Sequence, residues 1–191
     1  LAPVCAWVSG VIRGFALECT GDVLRTREER VFTLAQETSD DWWEIEALYD
    51  TAFAPGRGAL SSYRLREEVP PVADLCRVAR DADGIIGGAI RYWPVQIGTD
   101  GALLLGPVAV HPTAQGEGLG AALIRDTLAR AAELGHARVL LVGDAPYYAR
   151  FGFVRLEGIQ MPPPTNPDRV LGAALTPNAW RGVAGTVRRA A

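Results

Sequence analysis

In Gln115-Gly116-Glu117-Gly118-Leu119-Gly120, three glycines alternate with side chains just ahead of a segment with helical periodicity. Without Cβ atoms the backbone turns sharply there and brings several N–H groups within bonding distance of one anion. At the mouth of a helix such N–H groups have no intrahelical acceptor and lie at the positive end of the macrodipole, a setting that binds phosphate. The amides of Gln115, Gly116, Glu117, Gly118, Leu119, Gly120 and Ala121 are therefore a candidate diphosphate cradle, with Arg125 one turn further on as added charge. Every basic residue in the chain is Arg and none is Lys, so any side-chain contact to phosphate is made by a planar fork. Dinucleotide binding is the rival for this loop, with Asp144 ending the next strand. That fold uses G-x-G-x-x-G near the start of its sheet, whereas here the spacing is G-x-G-x-G and several strand-like segments come first.

The elements around the loop form one unit. An apolar run, Leu103-Leu104-Leu105, passes through Gly106-Pro107 into Val108-Ala109-Val110, and a second run, Val139-Leu140-Leu141-Val142, follows the helix. Strand, turn, helix and strand at this spacing predict a βαβ crossover between parallel strands. Pro107 lacks the N–H that a central ladder needs, which argues for a bulge or a local splaying. In the helix, Ala121, Ile124, Leu128, Ala131 and Ala132 are expected on the buried face, with Asp126 and Arg130 as an i, i+4 pair opposite and Gly135 as the C-terminal cap.

Val110-x-Pro112 followed by Gln115-x-x-Gly118-x-Gly120 resembles the acyl-CoA pyrophosphate loop of the GNAT superfamily of N-acetyltransferases, Q/R-x-x-G-x-G/A. Tyr147-Tyr148-Ala149-Arg150-Phe151-Gly152-Phe153 resembles its aromatic Y-x-x-x-G-F signature, one helix and one strand downstream as the family requires. Gly143-Asp144 before the paired tyrosines is similar to a bacterial, small-substrate branch. The resemblance implies a mixed α/β fold with a mostly antiparallel central sheet, one parallel βαβ crossover and helices on both faces. It also implies acetyl-CoA as cosubstrate, with no metal, and Val108, Ala109 and Val110 against its pantetheine arm. There Val108 and Val110 supply backbone groups exposed by a bulge.

Direct attack of a neutral amine on the thioester is then the simplest reaction, with an amide near Val108 stabilising the oxyanion. Tyr148, four residues before Gly152, occupies the position of the family's general acid. A free Tyr has a pKa of about 10 and a thiol about 8.5, so complete proton transfer is uphill by roughly 2 kcal/mol. Tyr148 is better suited to hydrogen-bonding the departing sulfur, and Tyr147 is expected to face elsewhere, in the core. Amines near pKa 10 are mostly protonated at neutrality, so a base is needed. His111 is the first candidate, with water-relayed Glu44 or Asp144 as alternatives. A catalytically silent acyl-CoA sensor or interaction module would use the same binding features.

Composition narrows the setting. With 191 residues and a net charge of −3, one domain is expected, without the basic surface that nucleic acid requires. Three cysteines, Cys5, Cys19 and Cys76, lack metal-ligand spacing and point to a reducing, cytoplasmic compartment. No apolar run approaches the roughly 18 to 20 residues that span a bilayer, so no membrane partner is expected. Residues 1–29 read as an N-terminal extension and residues 30–191 as the acyltransferase domain. The expected acceptor is a small-molecule or peptide amine, with small amine, amino acid, peptide N-terminus and protein lysine all compatible, and a homodimer is expected from the resemblance.

Elsewhere the pattern predicts a strand over 31–35 and a helix capped by Thr38 or Ser39, with Trp42, Ile45, Leu48, Tyr49, Ala52 and Phe53 on its buried face. A loop over 54–62 suits a mobile lid, and a short helix is expected over 63–68. Strands at 73–80 and 85–95 flank a turn at Asp81-Ala82-Asp83-Gly84, with Cys76 as a core residue. A short helix over 145–150, a strand over 153–156 and a last strand over 169–175 complete the expectation.

Overall fold

The computed structural model describes residues 11–12, 30–53, 57–59 and 61–190. The expected extension over 1–29 lies outside these residues apart from the strand β1 (Val11–Ile12), and so does part of the proposed lid.

One mixed sheet organises the chain. Its strands are β1, β2 (Phe32–Gln36), β3 (Arg77–Arg80), β4 (Ile86–Ile97), β5 (Asp100–Val110), β6 (Arg138–Val142), β7 (Val154–Arg155), β8 (Ile159–Gln160), β9 (Val170–Ala174) and β10 (Gly185–Arg189). Their spatial order is β1-β2-β3-β4-β5-β6-β9-β7, and every neighbouring pair in it is antiparallel except β5 and β6. Helix α3 (Leu119–Glu133) makes the crossover between those two. A short parallel bridge also joins β8 to β10.

Side chains alternate across the strands and so build two layers. Ile90, Tyr92, Leu103, Leu105, Val139, Leu141, Leu171 and Ala173 share one face, where Leu119, Leu123, Ile124 and Ala131 of α3 cover them. On the other face Val78, Ala89 and Ala109 meet Ile45, Leu48 and Tyr49 of α1 (Trp42–Ala52). Leu104, Leu140, Val170 and Trp93 form a further cluster there with Leu65 and Val187. Helices thus lie on both faces, as the sequence resemblance implied.

Several local expectations change. Trp42 does not join the buried stripe of α1; it is 64% exposed and Trp43 67%. Helical side chains lean toward the N-terminus, so one at the first position projects past the surface that the helix covers. Ala52, at the other end, is exposed as well. In α3 the stripe runs through Thr127, fully buried, while Ala132 is exposed. Thr127 tolerates that position because its hydroxyl donates to the Leu123 carbonyl at 2.7 Å and lies 2.8 Å from the Tyr92 hydroxyl. Asp126 and Arg130 do not pair with each other: Asp126 meets Arg77 at 3.1 Å and Arg130 meets Asp74 at 3.7 Å, tying the helix to β3 and the turn before it. Gly135 does close α3, with φ of 82° and the His136 amide donating to the Ala131 carbonyl at 3.0 Å.

The second helix, α2 (Ser61–Arg64), begins two residues early and is shorter than expected. The segment ahead of β3 opens as a 3-10 turn, Ala73–Leu75, which places buried Cys76 just outside the strand. β9 is not the last strand. β3 pairs only with the first half of β4, and β10 covers the open remainder at Val95, Gln96 and Ile97. With one buried apolar residue, Val187, β10 carries too little periodicity to be read in isolation.

Thr127→Val keeps the volume but leaves the buried Tyr92 hydroxyl without its partner. It should lower stability by about 1–3 kcal/mol, measured by urea denaturation; an unchanged midpoint would show that Tyr92 finds another acceptor.

Candidate active site

The parallel strands β5 and β6 pair only at Leu103–Val139 and Leu104–Leu140. Beyond that point β5 carries one extra residue relative to β4: Tyr92 opposes Leu105 and Ile90 opposes Val108, so Arg91 alone on β4 faces both Gly106 and Pro107 on β5. The bulge falls at Gly106-Pro107, where the proline called for it, and β5 leaves β6 there. The His111 amide donates to the Gly87 carbonyl at 2.8 Å, which sets the phase of the antiparallel ladder. In that phase Ala109 directs its backbone groups at β4, whereas Val108 and Val110 direct theirs into the split. The Val110 carbonyl accordingly accepts from the Gln115 side chain at 3.4 Å. Ala109, expected beside the arm with Val108 and Val110, commits its own amide and carbonyl to the β4 ladder.

The glycine loop crosses the end of the split. Gly116 and Gly118 hold φ of 84° and 80°, a region that L side chains rarely adopt. Gly118 is the N-cap of α3, and the first intrahelical bond runs from the Ala122 amide to the Gly118 carbonyl at 3.0 Å. The amides of Leu119, Gly120 and Ala121 have no intrahelical acceptor. A Cβ placed on Gly116 or Gly118 would meet nothing within 4 Å, so the outer side of the loop is open at both positions. Glu117 is drawn aside by Arg30 at 3.3 Å, and Arg30 also donates to the Thr113 carbonyl. That pair braces the loop against β2 and takes a carboxylate away from an anion site.

Helix α4 (Ala145–Tyr148) presents both tyrosines to this region. The Tyr148 ring lies against Gly143 at the end of β6 and stacks edge-on to Phe153 at 5.8 Å. Burial first, then Tyr147 and Asp144, push its phenol up to about 12, so it is a neutral donor throughout the physiological range. Tyr147 does not face the core as expected. It is 38% exposed, and its hydroxyl stands 3.3 Å from where a Cβ on Gly120 would be, beside the mouth of α3. Arg150 lies 4.1 Å over the Tyr147 ring, and Arg125 and Arg150 both lie 5.3 Å over Phe151. The core expectation for Tyr147 fails because a doublet of tyrosines does not reveal which ring turns outward.

Among the proposed bases, His111 caps the 3-10 turn Pro112–Ala114. Its Nδ1 accepts from the Thr113 amide at 3.3 Å and lies 2.8 Å from Thr113 Oγ1, which assigns the neutral ring's proton to Nε2. The basic nitrogen is thus engaged in the turn. Glu44 accepts from the Ile86 amide at 2.8 Å, and Asp144 pairs with Arg169 at 3.0 Å. Cys76 donates to the Val72 carbonyl at 3.3 Å, and burial pushes its thiol up to about 11, against a nucleophilic role.

A charged wall that periodicity did not reveal faces the bulge from the α1 side. Arg91 of β4 forms a two-pronged pair with Glu37 at 2.7 and 2.8 Å and reaches Glu46 at 2.8 Å. Arg57 meets Glu46 at 2.7 Å and Asp50 at 2.8 Å, and the Tyr49 hydroxyl donates to the Pro107 carbonyl at 3.5 Å. Arg91 looks in sequence like one polar residue inside an apolar strand; its carboxylates arrive from elements far away in the chain.

Residues 73–155, which hold the split, the loop and both tyrosines, match the family model described as the acetyltransferase (GNAT) domain. A GNAT family acetyltransferase from Brucella melitensis, solved with acetyl-CoA, is 31% identical, with a TM-score of 0.63 over 84% of this chain and 96% of its own. The chain belongs to the GNAT acetyltransferases. Another relative is the uncharacterized N-acetyltransferase YhbS of Escherichia coli, 32% identical over 111 residues, a region that covers 57% of this chain and 65% of YhbS. The crystal structure of E. coli YhbS with CoA superposes on this GNAT chain with a TM-score of 0.73 at 26% identity, covering 91% of this chain and 94% of that one.

Gly143 is a packing requirement of this GNAT site. A Cβ there would stand 2.8 Å from Tyr148 Cδ2 and 2.9 Å from Leu141 Cδ1. Gly143→Ala should cost about 1–3 kcal/mol of stability through overpacking, read from chemical denaturation, and a melt that matches the parent would show the ring free to move.

Proposed function

We propose that this chain is an N-acetyltransferase that takes the acetyl group of acetyl-CoA and transfers it directly to a primary amine of a small molecule or peptide. One observation carries the reading: a strand edge without a ladder partner opens beside a helix mouth with free amides, both within residues 103–121. Relatives solved with CoA and with acetyl-CoA support the same cosubstrate.

Acetyl-CoA supplies an activated acyl carbon and a thiol leaving group. Residues 115–121 hold the diphosphate by main-chain amides, and Val108 and Val110 take the extended arm as an added strand. The Val108 amide points into the split and serves as oxyanion donor, a contribution typically of about 10²–10³ in rate. Tyr148 hydrogen-bonds the departing sulfur, and the proton lost by the attacking amine balances the one that the thiolate gains. A base other than His111 suits the amine better, because His111 Nδ1 is occupied in its own turn. The deeply protonated Cys76 favours direct transfer over an acyl-cysteine intermediate. Its free thiol among the described residues also fits a reducing cytoplasm.

CoA and acetyl-CoA should raise the melting temperature and NAD should not; NAD protection without CoA protection would overturn the reading. Tyr148→Phe should slow thiol release roughly tenfold or more while CoA protection persists, whereas a silent sensor would show no turnover to lose. Because the Tyr148 pKa is raised to about 12, the phenol keeps its proton as pH rises to 10. The parent and Tyr148→Phe should therefore share one pH profile between 6 and 10. His111→Ala should leave the shape of that profile unaltered, and the loss of its acidic limb would restore His111 as the base.

A further inference from the structure

Arg66 follows α2 and reaches over the bulge. Its guanidinium lies 4.3 Å from the centroid of Tyr63 and 4.8 Å from that of Trp93, and its Nη2 comes within 3.5 Å of the position that a Cβ on Gly106 would take. Nε and Nη1 are shut off from solvent and have no hydrogen-bond partner. The other cations of this wall are paired: Arg57 with Glu46 and Asp50, Arg91 with Glu37 and Glu46. Among the described residues no carboxylate lies within ion-pair distance of Arg66. A ring face attracts the charge but leaves N–H donors without acceptors, and buried donors without acceptors are costly and rare. Burial first, offset by the nearby phenols of Tyr63 and Tyr49, brings the guanidinium down to about 10, so it is still a cation at neutral pH.

We propose that Arg66 receives a carboxylate of the acceptor, so that the amine acetylated here belongs to an amino acid or a close relative. This rests on the acetyl-transfer reading above. Gly106 precedes Val108 by two residues, about 7 Å of extended strand at most. A carboxylate on Nη2 and an amine approaching an acyl carbon at the Val108 amide are thus a few bonds apart, as in an amino acid. Nη2 is the one guanidinium nitrogen not both closed off from solvent and unpartnered, and a carboxylate there gains a charge-assisted hydrogen bond where a third cation would only be repelled. Polyamines and other purely cationic amines fit this wall poorly.

The test uses the full chain with acetyl-CoA and matched acceptors: amino acids, their decarboxylated amines, and their aminophosphonate analogues. The carboxylated member of each pair should have a kcat/KM roughly ten- to hundredfold higher, as expected for losing hydrogen bonds to a charged group. Arg66→Met should raise KM for the amino acid at least tenfold more than for its decarboxylated partner and collapse that preference, and Arg66→Lys should restore part of it. Equal turnover of both members by the parent chain, or an equal loss on both in Arg66→Met, would overturn the proposal; so would a preference for the phosphonates. Calorimetry of amino acids with the CoA-saturated protein separates the two readings. Binding that depends on Arg66 without turnover of any amine would retain the carboxylate site and refute the transferase. Turnover of amines with no carboxylate preference would do the reverse. The parent preference needs no variant, so a poorly folded Arg66→Met does not decide the outcome.

Discussion

A backbone amide that leaves its ladder must find another partner, and this chain concentrates that need at the point where β5 parts from β6. One extra residue at Gly106-Pro107 puts β5 out of step with β4, and parallel pairing with β6 stops at Leu104–Leu140. Val108 and Val110 then present main-chain groups to a gap inside an otherwise continuous sheet. Exposed edges invite pairing with another extended segment. Here the invitation is narrow: the gap is flanked by α3 on one face and α1 on the other. The remaining features of the site are ways of filling or addressing it.

The glycine loop addresses one end. Because α3 begins at Leu119, directly after Gly118 in a left-handed conformation, its free amides open at the same end of the sheet as the Val110 carbonyl. The pairing of Glu117 with Arg30 removes a like charge from the surroundings of an anion. Aromatic packing addresses the other side: the contact of the Tyr148 ring with Gly143 fixes a neutral hydroxyl at the end of β6, and Tyr147 and Arg150 border the helix mouth.

The charged wall on the α1 side is built differently. Burying several guanidinium groups together is tolerable only where each has carboxylates or rings to offset its desolvation. Arg57 and Arg91 share Glu46 between them, which couples α1, β4 and the segment after α1 in one network. Arg66 has two rings and the Tyr63 hydroxyl but no carboxylate among the described residues. That asymmetry, more than the number of charges, distinguishes this wall from a purely structural ion-pair network.

The local signals in the chain were enough for the crossover, the loop, the bulge, the cap at Gly135 and the turn at Asp81-Ala82-Asp83-Gly84, because each depends on residues within a few positions of one another. Glycine at a left-handed turn, proline without an N–H and apolar runs of strand length act wherever they occur. Pairings between distant segments were not legible. Asp126 and Arg130 turned to Arg77 and Asp74 instead of to each other, Thr127 lay at the centre of a buried stripe, and β10 found the open half of β4. Nor did the sequence order show which of two adjacent tyrosines points outward, that Nδ1 of His111 closes a turn, or that Arg66 stands over the bulge without a carboxylate. The distant pairings depend on which surfaces meet across the fold, and the local ones on which rotamer the surroundings select, so only the folded chain decides either.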